Sequence, residues 1–159
     1  SFIKMAKQPD IKKVITTLKK KPKKTREAVE KSLAVGGKRV LSEMALNTPY
    51  DTGILRMGNK SEVRETTSGV SLSFRNKEPY AMFVEFGTGP IGEASPKGHV
   101  PEGIELVYRD IGWVYEKDGR FIYTEGQPAR PFFYSSILNN KKVIEQYVKD
   151  AIKESMIND

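Results

Sequence analysis

The chain contains no cysteine and only one histidine and one tryptophan. Without thiols it can form no disulfide, thiolate nucleophile or Cys-based metal site, and the absence fits assembly in a reducing cytoplasm. His99 stands alone in a Pro/Gly-rich stretch with no second histidine or cysteine to complete a metal site, and reads as a solvated loop residue. No apolar run approaches the roughly eighteen residues of a membrane-spanning helix. The basic beginning has no apolar h-region after it and so reads as no secretory signal. Asp51-Thr52-Gly53 matches the aspartic-protease tripeptide, but there is one copy and it follows a helix stop. That chemistry needs two carboxylates sharing a proton. Gly87-Thr88-Gly89 lacks the third glycine and the following helix of a dinucleotide site. The sequence therefore predicts no catalytic residue, no cofactor and no metal.

Charge is present in quantity but unevenly placed. The net charge is +7 over 159 residues. Residues 1–24 alone hold nine lysines against the single acid Asp10, which leaves 18 basic and 19 acidic residues in the remainder. The body is close to neutral, so any affinity for a polyanion belongs to one end. Lys19, Lys20, Lys21, Lys23 and Lys24 form the densest cluster. They suit either a solvated linker or sequence-independent contact with DNA phosphates. No aromatic residue is interleaved among them, so stacking on single strands is not indicated.

Periodicity predicts an α+β domain with a mostly antiparallel sheet and helices on one side. Ile11, Val14, Ile15 and Leu18 at helical spacing predict a basic N-terminal helical arm over residues 1–24, closed by Lys21-Pro22. A single domain over 25–159 then begins with a long helix from Thr25, its expected N-cap, to about Asn47. Val29, Leu33, Val40, Leu41 and Met44 form its buried stripe. Gly36-Gly37 in its middle points to a bend or to a close backbone approach. Thr48-Pro49 ends the helix, and Tyr50 to Arg56 is a turn. Ser61–Glu65 and Val70–Phe74 form a hairpin through Thr67-Ser68-Gly69. Tyr80 to Gly89 is the most apolar decapeptide. It is a buried strand or a helical turn, and it carries one carboxylate, Glu85, that needs a partner. Pro90 to Pro101 reads as a loop and Ile104–Tyr108 as an edge strand. Ile111–Tyr115 and Phe121–Thr124 flank Lys117-Asp118-Gly119 as an aromatic hairpin, suited to being a hairpin core or a protein–protein contact. Pro131 opens a C-terminal helix from Phe132 to about Met156 that packs on the sheet.

Three ordered segments together resemble one family. Asn47-Thr48-Pro49-Tyr50-Asp51-Thr52-Gly53-Ile54-Leu55-Arg56 is similar to its Pro, Asp-Thr-Gly, Leu-Arg signature after a long helix. Tyr80-Ala81 followed by Val84-Glu85-Phe86-Gly87-Thr88 is similar to its central signature. Gly126-Gln127-Pro128-Ala129-Arg130-Pro131-Phe132 is similar to its entry to the last helix. The family is the tail-completion, or head–tail joining (neck), proteins of long-tailed bacteriophages and prophages. The resemblance spans about residues 25 to 157.

The resemblance implies a non-enzymatic virion structural protein at the head–tail junction, made in the host cytoplasm. It implies a homo-oligomeric ring, hexameric in the assembled particle. Expected partners are a head-completion or stopper protein, a tail terminator and tube, with DNA contact by the arm and no membrane. The arm and the segment of about 90–125 depart from the family pattern, the latter as a large insertion. The alternative is a basic nucleic-acid-binding protein using the lysine arm. A ring subunit also leads us to expect that Glu85 pairs with Arg130 or Arg56, and that the loop 88–103 orders on assembly.

Overall fold

The computed structural model describes residues 3–5, 14–17, 21–51, 53–67 and 69–157, the first two stretches through their backbone pairing. The fold is α+β. A 25-residue helix α1 (Lys23–Asn47) is followed by a one-turn helix α2 (Ile54–Met57). The hairpin β3 (Asn59–Thr66) and β4 (Gly69–Asn76) comes next, then two short helices, α3 (Ala81–Phe86) and α4 (Gly89–Ala94). After β5 (Leu106–Tyr108) come the hairpin strands β6 (Trp113–Lys117) and β7 (Arg120–Thr124). The chain closes with α5 (Tyr134–Ile157). Two strands precede α1: β1 (Ile3–Met5) pairs antiparallel with β5, and β2 (Val14–Thr17) pairs antiparallel with β4. The central sheet thus has the order β2-β4-β3.

The helix expected around Val14 and Ile15 is corrected by β2. Val14, Ile15, Thr16 and Thr17 are all β-branched, and each loses side-chain freedom in a helix. A short isolated helix gains little in water, whereas β4 offers a ladder from Leu72 to Gly69. Ile11 and Leu18 lie outside the described residues. The expected N-cap is corrected too. Thr25 is a buried residue within α1, its hydroxyl accepting from Ser155 Oγ at 3.0 Å, and Pro22 occupies the cap position. The 90–101 loop is partly helical, as α4.

Helix α1 is the middle layer. The β4 side chains Val70, Leu72 and Phe74 join Val29, Leu33, Val40 and Met44 of α1 and Ile137, Ile144 and Val148 of α5 in one buried cluster. The double glycine is what brings the layers together. A Cβ at Gly36 would lie 2.8 Å from Ile144 Cγ1, and one at Gly37 would lie 2.9 Å from Ser61 Oγ and 3.2 Å from Leu72 Cδ1. Gly36 therefore seats α5 and Gly37 seats the sheet, at a helix-propensity cost of about 1 kcal/mol each. Polar groups reinforce the helix pair. Arg39 Nε donates to Asn140 Oδ1 at 2.8 Å, and Asn140 Nδ2 donates to Glu43 and to the Ser136 carbonyl.

Gly36→Ala sets the propensity gain against this contact. We expect it to lower stability in the native background and to raise it, by about 1 kcal/mol, once Ile144 is shortened to Ala. A double-mutant cycle read by urea unfolding measures the coupling, expected in the range of about 0.5–3 kcal/mol.

Candidate functional site

The three signature segments form two separate junctions. The first joins α3 to the entry of α5. Tyr80 is the N-cap of α3, half-exposed, and its carbonyl accepts from Val84 N–H at 3.1 Å. One helical turn later, Glu85 and Phe86 point into the core. Glu85 is 1% exposed. Its Oε2 accepts from the N–H groups of Phe132 at 2.7 Å and Phe133 at 2.9 Å, and its Oε1 from Tyr134 N–H at 3.2 Å. These amides lie at the start of α5, where donors have no partner within the helix. Phe86 stacks on Tyr134 with ring centroids 6.0 Å apart, and Phe132 is completely buried.

This arrangement corrects the expected ion pair. Neither Arg130 nor Arg56 bonds to Glu85. The Arg130 backbone N–H donates to the Val84 carbonyl at 2.8 Å, while its side chain is exposed. Backbone amides win because they reach a buried carboxylate without desolvating a second charge. Burial raises the Glu85 pKa above the ordinary carboxylate value, opposed by the three N–H donors.

Beyond Phe86 the backbone crosses the segment 126–131, bridged to it at Thr88 and Gln127. Thr88 N–H donates to the Gln127 carbonyl at 2.9 Å, and Gln127 N–H returns the bond to the Thr88 carbonyl at 3.1 Å. Ala129 N–H donates to Ser95 Oγ at 2.8 Å. The crossing is too tight for side chains. A Cβ at Gly87 would meet Ala129 N and Gln127 O at 2.7 Å, and one at Gly126 would meet Thr88 O at 1.8 Å. Both glycines also have positive φ, 76° and 100°. Thr88 is buried and Pro128 exposed, and Pro131 leads into α5. Tyr108 OH donates to the Phe86 carbonyl at 2.7 Å, and burial, with Glu93 nearby, pushes its pKa up.

The second junction holds the Asp51 turn. Asp51 is exposed, Thr52 lies outside the described residues, and Gly53 takes φ 82° as the N-cap of α2. The Arg56 guanidinium lies 5.3 Å from the Tyr50 ring centroid, with one amine 3.4 Å from the Thr48 carbonyl. Sequence reasoning missed the residues that hold this turn. Thr48 Oγ1 accepts from Asn59 Nδ2 at 3.2 Å. Asn76 Nδ2 donates both to Asn59 Oδ1 at 2.8 Å and to the Leu55 carbonyl at 2.9 Å. The available signal was that Asn59 and Asn76 sit at the open end of the predicted hairpin. They are a facing pair, and asparagine is disfavoured in strands unless it bonds locally.

Lys21, Lys23 and Lys24 are exposed at the start of α1, with Lys23 Nζ 3.8 Å from Glu27, whereas Lys19 and Lys20 lie outside the described residues. His99 is half-buried rather than solvated, its backbone N–H 3.4 Å from Ser135 Oγ. Among the described residues no cluster of His, Cys, Asp and Glu could hold a metal ion, and no helix is long and apolar enough to cross a membrane.

Two substitutions test the first junction. Glu85→Gln leaves one amide facing an NH₂ group, and should cost about 1–3 kcal/mol in urea unfolding. Because the folded-state pKa is raised, the Glu85 contribution is fully present below the unfolded carboxylate value and is lost as pH rises through the folded value. The deficit of Glu85→Gln should therefore be largest near about pH 4 and narrow toward neutrality; a deficit that grows with pH would contradict this sign. Gly126→Ala should cost at least about 2 kcal/mol, since it adds left-handed strain to a backbone clash.

A comparison with known protein families finds a match over just under half of the chain. Residues 12–87 match a family model described as "Bacteriophage HK97-gp10, putative tail-component". No curated protein and no solved structure matches. The matched stretch contains α1, the Asp51 turn, the hairpin β3–β4 and α3 with Glu85, and it ends at the Gly87 turn. On that stretch the chain matches a family of bacteriophage tail components.

Proposed function

We infer that this protein is a structural subunit of the bacteriophage virion that acts at the head–tail junction, in tail completion or head–tail joining. It works as a homo-oligomeric ring, hexameric in the particle, seated between a head-completion or stopper protein and the tail terminator or tube. No bond is made or broken by it. The observation that carries the reading is the family match over residues 12–87. Glu85 supports it, because this carboxylate, the one deeply buried among the described residues, is committed to three backbone amides and positions α5. Asp51, the other residue with a catalytic look, is an exposed turn residue.

The test is loss of the gene in the phage or prophage that encodes it. Electron microscopy of lysates should show DNA-filled heads and tails that are not joined, and the protein supplied in trans should restore infectious particles. Normal virions without it would overturn the reading. Particles that join but carry tails of altered length would move the role to the tail terminator.

DNA contact by the N-terminal arm is a second activity of the same subunit. The exposed Lys21, Lys23 and Lys24 stand at the positive end of the α1 dipole. Replacing Lys19, Lys20, Lys21, Lys23 and Lys24 with glutamine should flatten the dependence of DNA affinity on salt. The log–log slope should fall by about 0.9 for each phosphate contact removed.

A further inference from the structure

The strand β3 has a neighbour on one side only: among the described residues it pairs with β4 and with no other strand. An open edge presents a row of backbone N–H and C=O groups on which another strand can form. The pairing with β4 shows which groups these are. Every residue of β3 is in register with β4, and Thr66 faces Gly69 across a two-residue turn. Such a turn closes on a hydrogen-bonded pair, and in an antiparallel ladder these pairs recur at every second residue. The carbonyls of Arg64 and Glu62 accordingly face β4, where they also accept from the hydroxyls of Ser71 and Ser73, each at 3.5 Å. The backbone groups of Ser61, Val63 and Glu65 therefore point out of the sheet edge, and they take no backbone partner among the described residues.

Native sheets blunt such an edge with a proline, a bulge or a central lysine. β3 has no proline and no bulge, and its one lysine, Lys60, stands near an end. Val63 lies near its middle, half-buried and packed against the core. Ser61 shares that side, close to Gly37, and Glu65 lies 3.4 Å from Arg26 of α1. By the alternation of a strand the outer side carries Lys60, Glu62 and Arg64, all exposed.

The order of these side chains is its own complement. Rotated by half a turn about Val63, β3 sets Glu62 opposite Arg64 of a second copy, and Arg64 opposite that copy's Glu62. Lys60 meets the uncharged Thr66, so no like charges face each other directly. The same register sets Val63 against Val63 and Ser61 against Glu65, at the positions whose N–H and C=O groups are free. The charged pairs then fall at the non-hydrogen-bonded positions, where side chains are closer. Centring the pair on Glu62 or on Arg64 instead would bring like charges together at the axis, which is destabilising. Within one copy Arg64 Nε already lies 2.9 Å from Glu62, and pairing joins the two exposed ion pairs into one alternating cluster.

We propose that two copies of this chain pair along β3, antiparallel and centred on Val63, to form one continuous sheet. The contact is isologous and closes on two copies. It is therefore separate from the head-to-tail contacts of a ring, and it rests on the sheet edge alone, whatever the outcome for the tail role.

The experiment follows the full chain by analytical ultracentrifugation between about 1 and 300 μM, a range spanning typical weak contacts, with circular dichroism confirming the fold of each variant. The unaltered chain should dimerise. Arg64→Glu and Glu62→Lys, each alone, should weaken the dimer by about tenfold, because like charges then face each other on both sides of the axis. Loss of the exposed pair within one copy costs the fold little. Mixing the two variants should restore association as a heterodimer, and Glu62→Lys combined with Arg64→Glu should restore the homodimer. Amide exchange at Ser61, Val63 and Glu65 should slow as concentration rises, while Glu62 and Arg64, already bonded to β4, should not change. A monomeric unaltered chain, single variants that dimerise normally, weakening that neither the mixture nor the double exchange repairs, or exchange at Val63 that ignores concentration would each overturn the proposal.

Discussion

The Glu85 carboxylate sets the geometry on which the rest of the fold depends. Burying a charge is costly unless donors replace the water it loses. Here three backbone N–H groups at the beginning of α5 do so. The same bonds satisfy amides that a helix start leaves without internal partners, and place a negative charge where the helix dipole favours it. The arrangement fixes where α5 begins and which way it leaves α3. Because Ile144, ten residues beyond Tyr134, must land over Gly36, that direction decides whether α5 can lie along α1 at all.

Gly36, Gly37, Gly87 and Gly126 answer the same demand at different places, which is that backbones meet more closely than side chains permit. In α1 the pair lets one helix carry a sheet on one side and a helix on the other. At the crossing of Thr88 and Gln127 the two chains exchange backbone hydrogen bonds with no room for a Cβ at Gly87 or Gly126. The first pair costs helix propensity and the second restricts sequence choice. Both are repaid by core contacts that reach complete burial at Leu33, Leu72 and Phe132.

Much of this was legible in the sequence where local chemistry and tertiary demand agree. The stripe of α1, the register of β3 and β4, and the Asp118-Gly119 turn all follow from periodicity or turn chemistry. The double glycine left a bend and a close approach both open, and said nothing of which layers it would join. Reading failed where the partner was backbone. Glu85 was expected to meet an arginine because side-chain charges are visible in a sequence, while free amides at a helix start are not. It failed again at Val14–Thr17, where apolar spacing fitted a helix but β-branching and the edge of β4 decided for a strand. The Thr48–Asn59–Asn76 network was hidden for a related reason. Its members are far apart in sequence, and only the hairpin register places Asn59 opposite Asn76.

The family match stops at Gly87, yet the core does not. Gly36 and Glu85 lie within the matched stretch, while the side chain and amides that they need belong to α5, on the far side of the aromatic hairpin. The bridge between Thr88 and Gln127 brings the two ends of the intervening segment together. With the ends pinned, lengthening the segment costs only loop-closure entropy, about 0.6 kcal/mol for each doubling. Neither Glu85 nor the α1 layers are disturbed. The buried body is thus closed at one seam, from which the segment between Thr88 and Gln127 leaves and to which it returns. Within that segment Ile104, Leu106 and Tyr108 pack against the buried cluster, whereas the hairpin β6–β7 contributes no residue to it.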